Sequence, residues 1–191
     1  MTITISAVIL AGGKARRMGG VDKGLQLWQG KPLVETIYQR LHCQIDAISI
    51  NANRNQDAYA QLGVPVFSDQ RDGFQGPLSG IQTALEQATT DYVLFVPCDS
   101  PCLPLNLVAK LKSAVENSEI LIAYAHDGER DHPTFCLIST ALKTELADYL
   151  ASGERRMLWF MKAHGAVAVD FSGDKQAFVN MNTLEDLQEK V

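Results

Sequence analysis

Hydrophobic residues along this 191-residue chain fall into two alternating patterns: short unbroken apolar runs, and longer stretches with apolar positions three or four apart. The first is the pattern of strands buried on both faces, the second that of amphipathic helices. Their alternation predicts an α/β architecture in three layers, a mostly parallel sheet with helices on both faces. Residues 3–10 give the first strand, 46–52 the second (Ala47, Ile48 and Ile50 inside), 64–68 a short third, 91–97 the fourth and 120–125 the fifth. The run Tyr92-Val93-Leu94-Phe95-Val96 is as apolar as the first strand and belongs near the sheet's centre. A helix opens at Pro32, a residue suited to a first turn, with Leu33, Ile37, Tyr38 and Leu41 along one face. Further helices are expected over 56–62, closed by Gly63, over 77–88 with Leu78, Ile81 and Leu85 at helical spacing, and over 105–115. Downstream the pattern loosens. Residues 132–138 read as a strand joined by a short connection to its predecessor, hence the one antiparallel member. Helices follow over 141–150 and 155–164, a short strand over 167–170, a polar-ended extended segment over 179–182, and a closing helix over 184–191 capped by Thr183. Trp28, Trp159, Phe160 and Met161 are assigned to the core.

In an open sheet of this kind ligands sit beyond the carboxyl ends of the parallel strands. That rule gathers Gly12 and Gly13 after the first strand, Asn51 and Asn53 after the second, Asp69 after the third and Asp99 after the fourth. The stretch from Leu10 to Gly24 is rich in glycine and cations. Glycines let the backbone approach a polyphosphate with N–H groups turned inward, and Lys14, Arg16, Arg17 and Lys23 neutralise its charge. Neither a G-x-G-x-x-G nor a P-loop ending in Gly-Lys-Ser/Thr is present. Asp99, at the mouth of a strand too apolar for a buried charge, suits a hard cation held against phosphate oxygens. A carboxylate among Asp69 and its neighbours can accept from the N1–H and exocyclic amine of guanine, a pair of donors adenine lacks on that edge. Gly76 and Pro77 form a second glycine loop before a helix. Arg155 and Arg156 stand at a helix start, an unfavourable end for cations unless an anion joins them. Asn180 and Asn182 point to one face if their segment is extended.

A formal net charge of −5 argues against a protein that coats nucleic acid, so the basic cluster near the N-terminus is a local feature. Cys43, Cys98, Cys102 and Cys136 contain no C-x-x-C pair and read as reduced thiols in core elements of a cytosolic protein. Cys98 and Cys102 lack the spacing and the partner pair of a zinc site, and His126 and His132 lack a metal partner set. The first apolar run lacks a preceding basic region, and no run is long enough to cross a bilayer. A cytoplasmic location with no membrane or nucleic-acid partner is expected, and 46% hydrophobic residues suffice for one domain over 1–191.

Together, Leu10-Ala11-Gly12-Gly13, Arg17-Met18-Gly19, Asp22-Lys23, Gly30-Lys31-Pro32-Leu33, Gly76-Pro77-Leu78 and Pro97-Cys98-Asp99 resemble the MobA-like nucleotidyltransferases. The run from His126 to Thr134, Gly153-Glu154-Arg155-Arg156 and Phe178-Val179-Asn180-Met181-Asn182-Thr183 narrow the resemblance to the molybdenum cofactor guanylyltransferases within that family. The resemblance implies a Rossmann-like nucleotidyltransferase fold and transfer of GMP from GTP to the phosphate of molybdopterin, with Mg²⁺ as cofactor and pyrophosphate as leaving group. It implies that Leu10, Ala11, Gly12 and Gly13 hold the nucleotide, that Lys23 and Arg17 meet its phosphates, that Asn51 and Asp69 contact guanosine, and that Asp99 binds Mg²⁺. Lys23, Arg17 and Asp99 are the implied catalytic set. Gly20, Gly76, Gly80, Arg155, Arg156, Asn180 and Asn182 are implied on the pterin side, so that residues 1–100 serve mainly GTP and Mg²⁺ and 101–191 mainly the pterin substrate. Transient contacts with molybdenum-insertion proteins and acceptor molybdoenzymes are also implied. The rival readings are a cytidylyltransferase for the same cofactor, a sugar-1-phosphate nucleotidyltransferase, and an adaptor that binds a guanine nucleotide without transferring it.

Overall fold

A computed structural model describes residues 2–13, 21–70, 76–116, 118–183 and 185–187. Strand β1 spans Ile5–Leu10, and a two-residue ribbon follows, β2 (Leu27–Trp28) with β3 (Lys31–Pro32). Then come α1 (Leu33–His42), β4 (Ile48–Asn51), α2 (Gln56–Ala60), β5 (Val66–Phe67), α3 (Pro77–Gln87) and β6 (Tyr92–Pro97). The remaining elements are α4 (Leu107–Val115), β7 (Ile122–His126), β8 (Asp131–Ser139), α5 (Lys143–Ala151), α6 (Met157–Ala163) and β9 (Val167–Asp170). The main sheet has seven strands in the order β5-β4-β1-β6-β8-β7-β9. Every neighbouring pair is parallel except those made by β8, which runs antiparallel to both β6 and β7.

The period of two in a strand explains how this sheet carries two apolar layers. On one face Ala7 and Ile9, Tyr92, Leu94 and Val96, and Phe135 and Leu137 pack with α1 (Val34, Ile37, Leu41), Tyr59 of α2 and α4 (Leu107, Leu111, Val115). On the other, Val8, Val93 and Phe95, and Cys136 and Ile138 meet α3 (Leu78, Ile81, Leu85), α5 (Leu146, Leu150) and α6 (Met157, Phe160, Met161). Burial of side chains such as Ile9 and Leu94, both fully enclosed, contributes roughly 1.5–3 kcal/mol each. β5 is an edge strand, where Pro65 accepts a bond from the Ile50 amide at 2.9 Å and its missing N–H costs nothing.

Several expectations are corrected. Trp159 is 64% exposed rather than core; α6 turns Met157, Phe160 and Met161 inward at i, i+3 and i+4, which leaves position 159 on the outer face. Cys98 and Cys136 are buried, whereas Cys43 is exposed and Cys102 half-buried; all four are free thiols. The ribbon of β2 and β3, turned through Gln29 and Gly30 at positive φ (51° and 83°), was not anticipated, nor was the 3₁₀ segment Ser172–Phe178. The helix expected over 184–191 falls largely outside the described residues; residues 185–187 form a turn, in which Asp186 N donates to Thr183 Oγ1 at 3.1 Å.

Candidate active site

Register places the site. Leu10 lies level with Asn51 of β4 and Pro97 of β6, and Asn51 level with Phe67 of β5. The residues that follow these strand ends therefore meet on one rim. They enclose a cavity of about 440 Å³ lined by Leu10, Ala11, Gly12, Gly13, Lys23, Asn51, Asp69, Gly76, Pro77, Pro97, Cys98, Asp99 and Thr134. Nine of these are residues singled out in the sequence; Pro77, Pro97, Cys98 and Thr134 were not assigned a role. Thr134 reaches the rim because β8 bulges: Tyr124 pairs with Cys136 but Ala125 pairs with His132.

One end of the cavity is built for a flat, hydrogen-bonding group. Asn51 Nδ2 donates to Asp69 Oδ1 at 2.9 Å, and the Asp69 amide donates to Asn53 Oδ1 at 2.8 Å. Asn53 Nδ2 in turn reaches Gly12 O at 3.3 Å. Two glycines exist to make room for this network. A Cβ on Gly12 would come within 2.8 Å of Asn53 Nδ2, and one on Gly80 within 2.3 Å of Asn51 Oδ1. Gly80 is buried in α3 and supports Asn51 rather than lining the cavity. Gly76, with φ 80° and ψ −169°, holds a conformation that L side chains resist, and it starts α3 at the cavity wall, where the positive end of the helix favours an anion.

The other end is charged. Lys23 Nζ donates to Asp99 Oδ2 at 2.8 Å and to Asn182 Oδ1 at 2.7 Å. Asp99 Oδ1 is buried with no hydrogen-bond partner among the described residues. A buried carboxylate oxygen left without a donor is costly unless something binds it, and a hard divalent cation takes such oxygens. No group of three or more His, Cys, Asp or Glu that could hold a metal ion occurs among the described residues, so a cation held here would draw its other ligands from phosphate and water. The donor set fits Mg²⁺. The C-terminal segment closes over this end by main chain and side chain: Met181 N donates to Asp99 O at 2.8 Å and Ser100 Oγ to Asn180 Oδ1 at 2.7 Å. Asn180 and Asn182 thus engage different partners rather than a shared one. Burial pushes the Cys98 thiol well above its usual range, which keeps it protonated beside Asp99.

Other assigned residues lie elsewhere. Arg155 sends its guanidinium to Leu150 O at 2.8 Å, at the C-terminal end of α5, where a cation is favourable. Arg156 pairs with Glu154 at 3.3 Å and stacks on Trp159 with 3.9 Å to the ring centroid. Neither arginine lines the cavity. Arg17 and Gly20 lie outside the described residues. Sequence reasoning also passed over Asp22 and Tyr59, both buried and bonded to each other directly behind Lys23; the only signal was a carboxylate next to the lysine of the loop.

A family model for the MobA-like NTP transferase domain matches residues 7–167, which makes this chain a nucleotidyltransferase by class. The molybdenum cofactor guanylyltransferase of Mannheimia succiniciproducens is 77% identical over 98% of this chain and 98% of its own length. That of Pasteurella multocida is 66% identical over 98% of this chain and 100% of its own. The chain belongs to the molybdenum cofactor guanylyltransferase family. Among solved structures, molybdopterin-guanine dinucleotide biosynthesis protein A from Archaeoglobus fulgidus aligns with a TM-score of 0.79 over 96% of this chain and 95% of that one, at 19% identity. CMP:2-keto-3-deoxy-manno-octonic acid synthetase aligns with a TM-score of 0.74 at 12% identity, over 97% and 95%. At these identities the likeness speaks for the fold alone.

Proposed function

We propose that the chain transfers GMP from GTP to the terminal phosphate of molybdopterin, forming the guanine dinucleotide of the cofactor and releasing pyrophosphate. The observation that carries this reading is one cavity with a base-sized polar end at Asn51 and Asp69 and a charged end at Lys23 and Asp99. Asp69, with one carboxylate oxygen held by Asn51, presents acceptor capacity to guanine N1–H and the exocyclic amine. Leu10 to Gly13 pass along the nucleotide by backbone. Lys23 offsets charge on the departing pyrophosphate, and Arg17 belongs to the same phosphate loop. Asp99 would hold Mg²⁺, which would supply Lewis acidity when bound. The acceptor phosphate is already ionised, so no protein base is required; the residues align two polyanions for in-line displacement at the α-phosphorus and offset their repulsion. The pterin side is assigned to Gly20, Gly76, Arg155, Arg156, Asn180 and Asn182, while Gly80, packed behind Asn51, serves the guanosine end instead. On this reading residues 1–100 serve mainly GTP and Mg²⁺, and 101–191 mainly the pterin substrate. Transient contacts with molybdenum-insertion proteins and acceptor molybdoenzymes, in the cytoplasm, follow from the nature of the product.

The test is pyrophosphate release with Mg²⁺ and a molybdopterin-bearing acceptor, comparing GTP, CTP and ATP. Strong GTP preference with formation of the guanine dinucleotide is expected. A CTP preference keeps the mechanism and overturns the assignment at Asn51 and Asp69; binding of GTP with no release for any nucleotide returns the adaptor reading.

A further inference from the structure

We propose that Tyr59 is a positioning residue for Lys23, gripping the residues on either side of it so that the ammonium is presented to the nucleotide's phosphates; this rests on the reading that Lys23 binds those phosphates. A lysine ends a flexible stem, so its ammonium is delivered reproducibly only if the backbone that carries it is fixed. Asp22, one residue before, is 8% exposed, and a carboxylate so buried needs donors. Two are built in: the Tyr59 hydroxyl donates to Asp22 Oδ1, and Asn55 Nδ2 donates to Oδ2 at 3.0 Å. On the other side of the lysine, Gly24 is pressed onto the same phenol. A Cβ there would stand 2.6 Å from Tyr59 Oη and 3.1 Å from a ring carbon. The phenol therefore touches both neighbours of Lys23 while staying outside the cavity lining.

Tyr59 is suited to this task. It is fully buried, and that burial, followed by the Cys98 and Asp22 side chains, raises its hydroxyl far above the ordinary tyrosine range, so it remains a donor. Asn55 sits at φ 50°, a conformation that aims its amide at Asp22 from the start of α2. The same stretch also holds the far arm of the glycine loop, through Asn53 to Gly12 O at 3.3 Å and Arg54 to Gly13 O at 3.2 Å. Residues 53–59 thus bracket both described ends of the loop that runs between β1 and Lys23.

The experiment is calorimetric binding of GTP and of guanosine, which has no phosphate, to the parent, Tyr59→Phe, Lys23→Ala and the double variant. Loss of a hydrogen bond to a charged group makes Tyr59→Phe bind GTP about tenfold more weakly, with guanosine affinity unchanged. In the Lys23→Ala background Tyr59→Phe adds nothing, because the positioned group is gone. Equal weakening of guanosine, persistence of the loss in the double variant, or parent-like GTP binding by Tyr59→Phe each overturns the proposal. If Lys23→Ala alone leaves GTP affinity intact, the reading of Lys23 fails first, and visibly so. Asn55→Gly keeps the backbone conformation, removes the second donor and gives the same pattern should Tyr59→Phe fold poorly.

Discussion

The most consequential single atom is Asp99 Oδ1. Its partner oxygen is occupied by Lys23, yet it has no donor of its own among the described residues. A carboxylate placed this way is poorly arranged for stability and well arranged to receive a cation. Asp99→Ala is therefore expected to lower turnover by at least about a hundredfold, the scale on which a single electrostatic contact to a reacting group acts, while the melting temperature changes little. It is also expected to abolish Mn²⁺ binding in the presence of GTP, read by electron paramagnetic resonance. A variant that retains both metal binding and turnover would remove Asp99 from the mechanism. The geometry at Gly80 carries a related lesson. Its role is visible only through what it excludes, since any side chain there collides with Asn51.

At the scale of elements, the turn between β7 and β8 shows how charge is used away from the cavity. Asp127 Oδ1 accepts from the amides of Glu129 (2.8 Å) and Arg130 (2.7 Å), and Oδ2 pairs with His132 Nε2 at 2.7 Å. The His132 bond first, then the two amides, hold this carboxyl well below its ordinary value of 3.8. A carboxyl depressed in the folded state contributes stability that is complete above the unfolded value and is lost as pH falls toward the folded one. The melting-temperature gap between the parent and Asp127→Asn is thus expected to shrink as pH falls below 3.8. A gap independent of pH would mean the turn depends on shape rather than charge. His132 also stacks on Phe178 with centroids 4.5 Å apart, so this turn braces the segment that leads to Asn180 and Asn182.

Elements were legible in the sequence where burial imposes a pattern on both faces. β1 and β6 read as strands because nearly every position is apolar, and α3 because its face repeats at helical spacing. The ribbon of β2 and β3 is too short to have a period, and the 3₁₀ segment Ser172–Phe178 offers little apolar patterning before Ala177 and Phe178. Trp159 was misplaced because hydrophobicity alone ignores which face of α6 is covered. That Gly12, Gly13, Asp69 and Asp99 share a rim was readable since each follows closely on the end of a sheet strand. The grip of Tyr59 on Asp22 was not, because it joins positions 37 apart through packing that no local pattern records.

At the scale of the whole molecule, the two halves of the chain, to which the nucleotide and the acceptor are mainly assigned in the proposal, form one mechanical unit. β6, the last strand of residues 1–100, lies between β1 and β8, so its edge is completed only by the second half of the chain. Each apolar layer likewise mixes both halves, Leu94 with Leu137 on one face and Phe95 with Cys136 on the other. The Met181 amide bonded to Asp99 O ties the two halves again at the site itself. Unfolding is accordingly expected to be one cooperative transition. The two tryptophans make this measurable: buried Trp28 packs between Leu33 of the first half and Met181 of the second, and exposed Trp159 stands on α6. Trp28→Phe and Trp159→Phe each leave a single fluorophore, and their denaturant curves, each set against far-ultraviolet circular dichroism of the same variant, should coincide with it. Within either variant, a fluorescence midpoint displaced from the circular dichroism midpoint would show that the surroundings of that tryptophan unfold separately from the sheet, and would overturn the single transition.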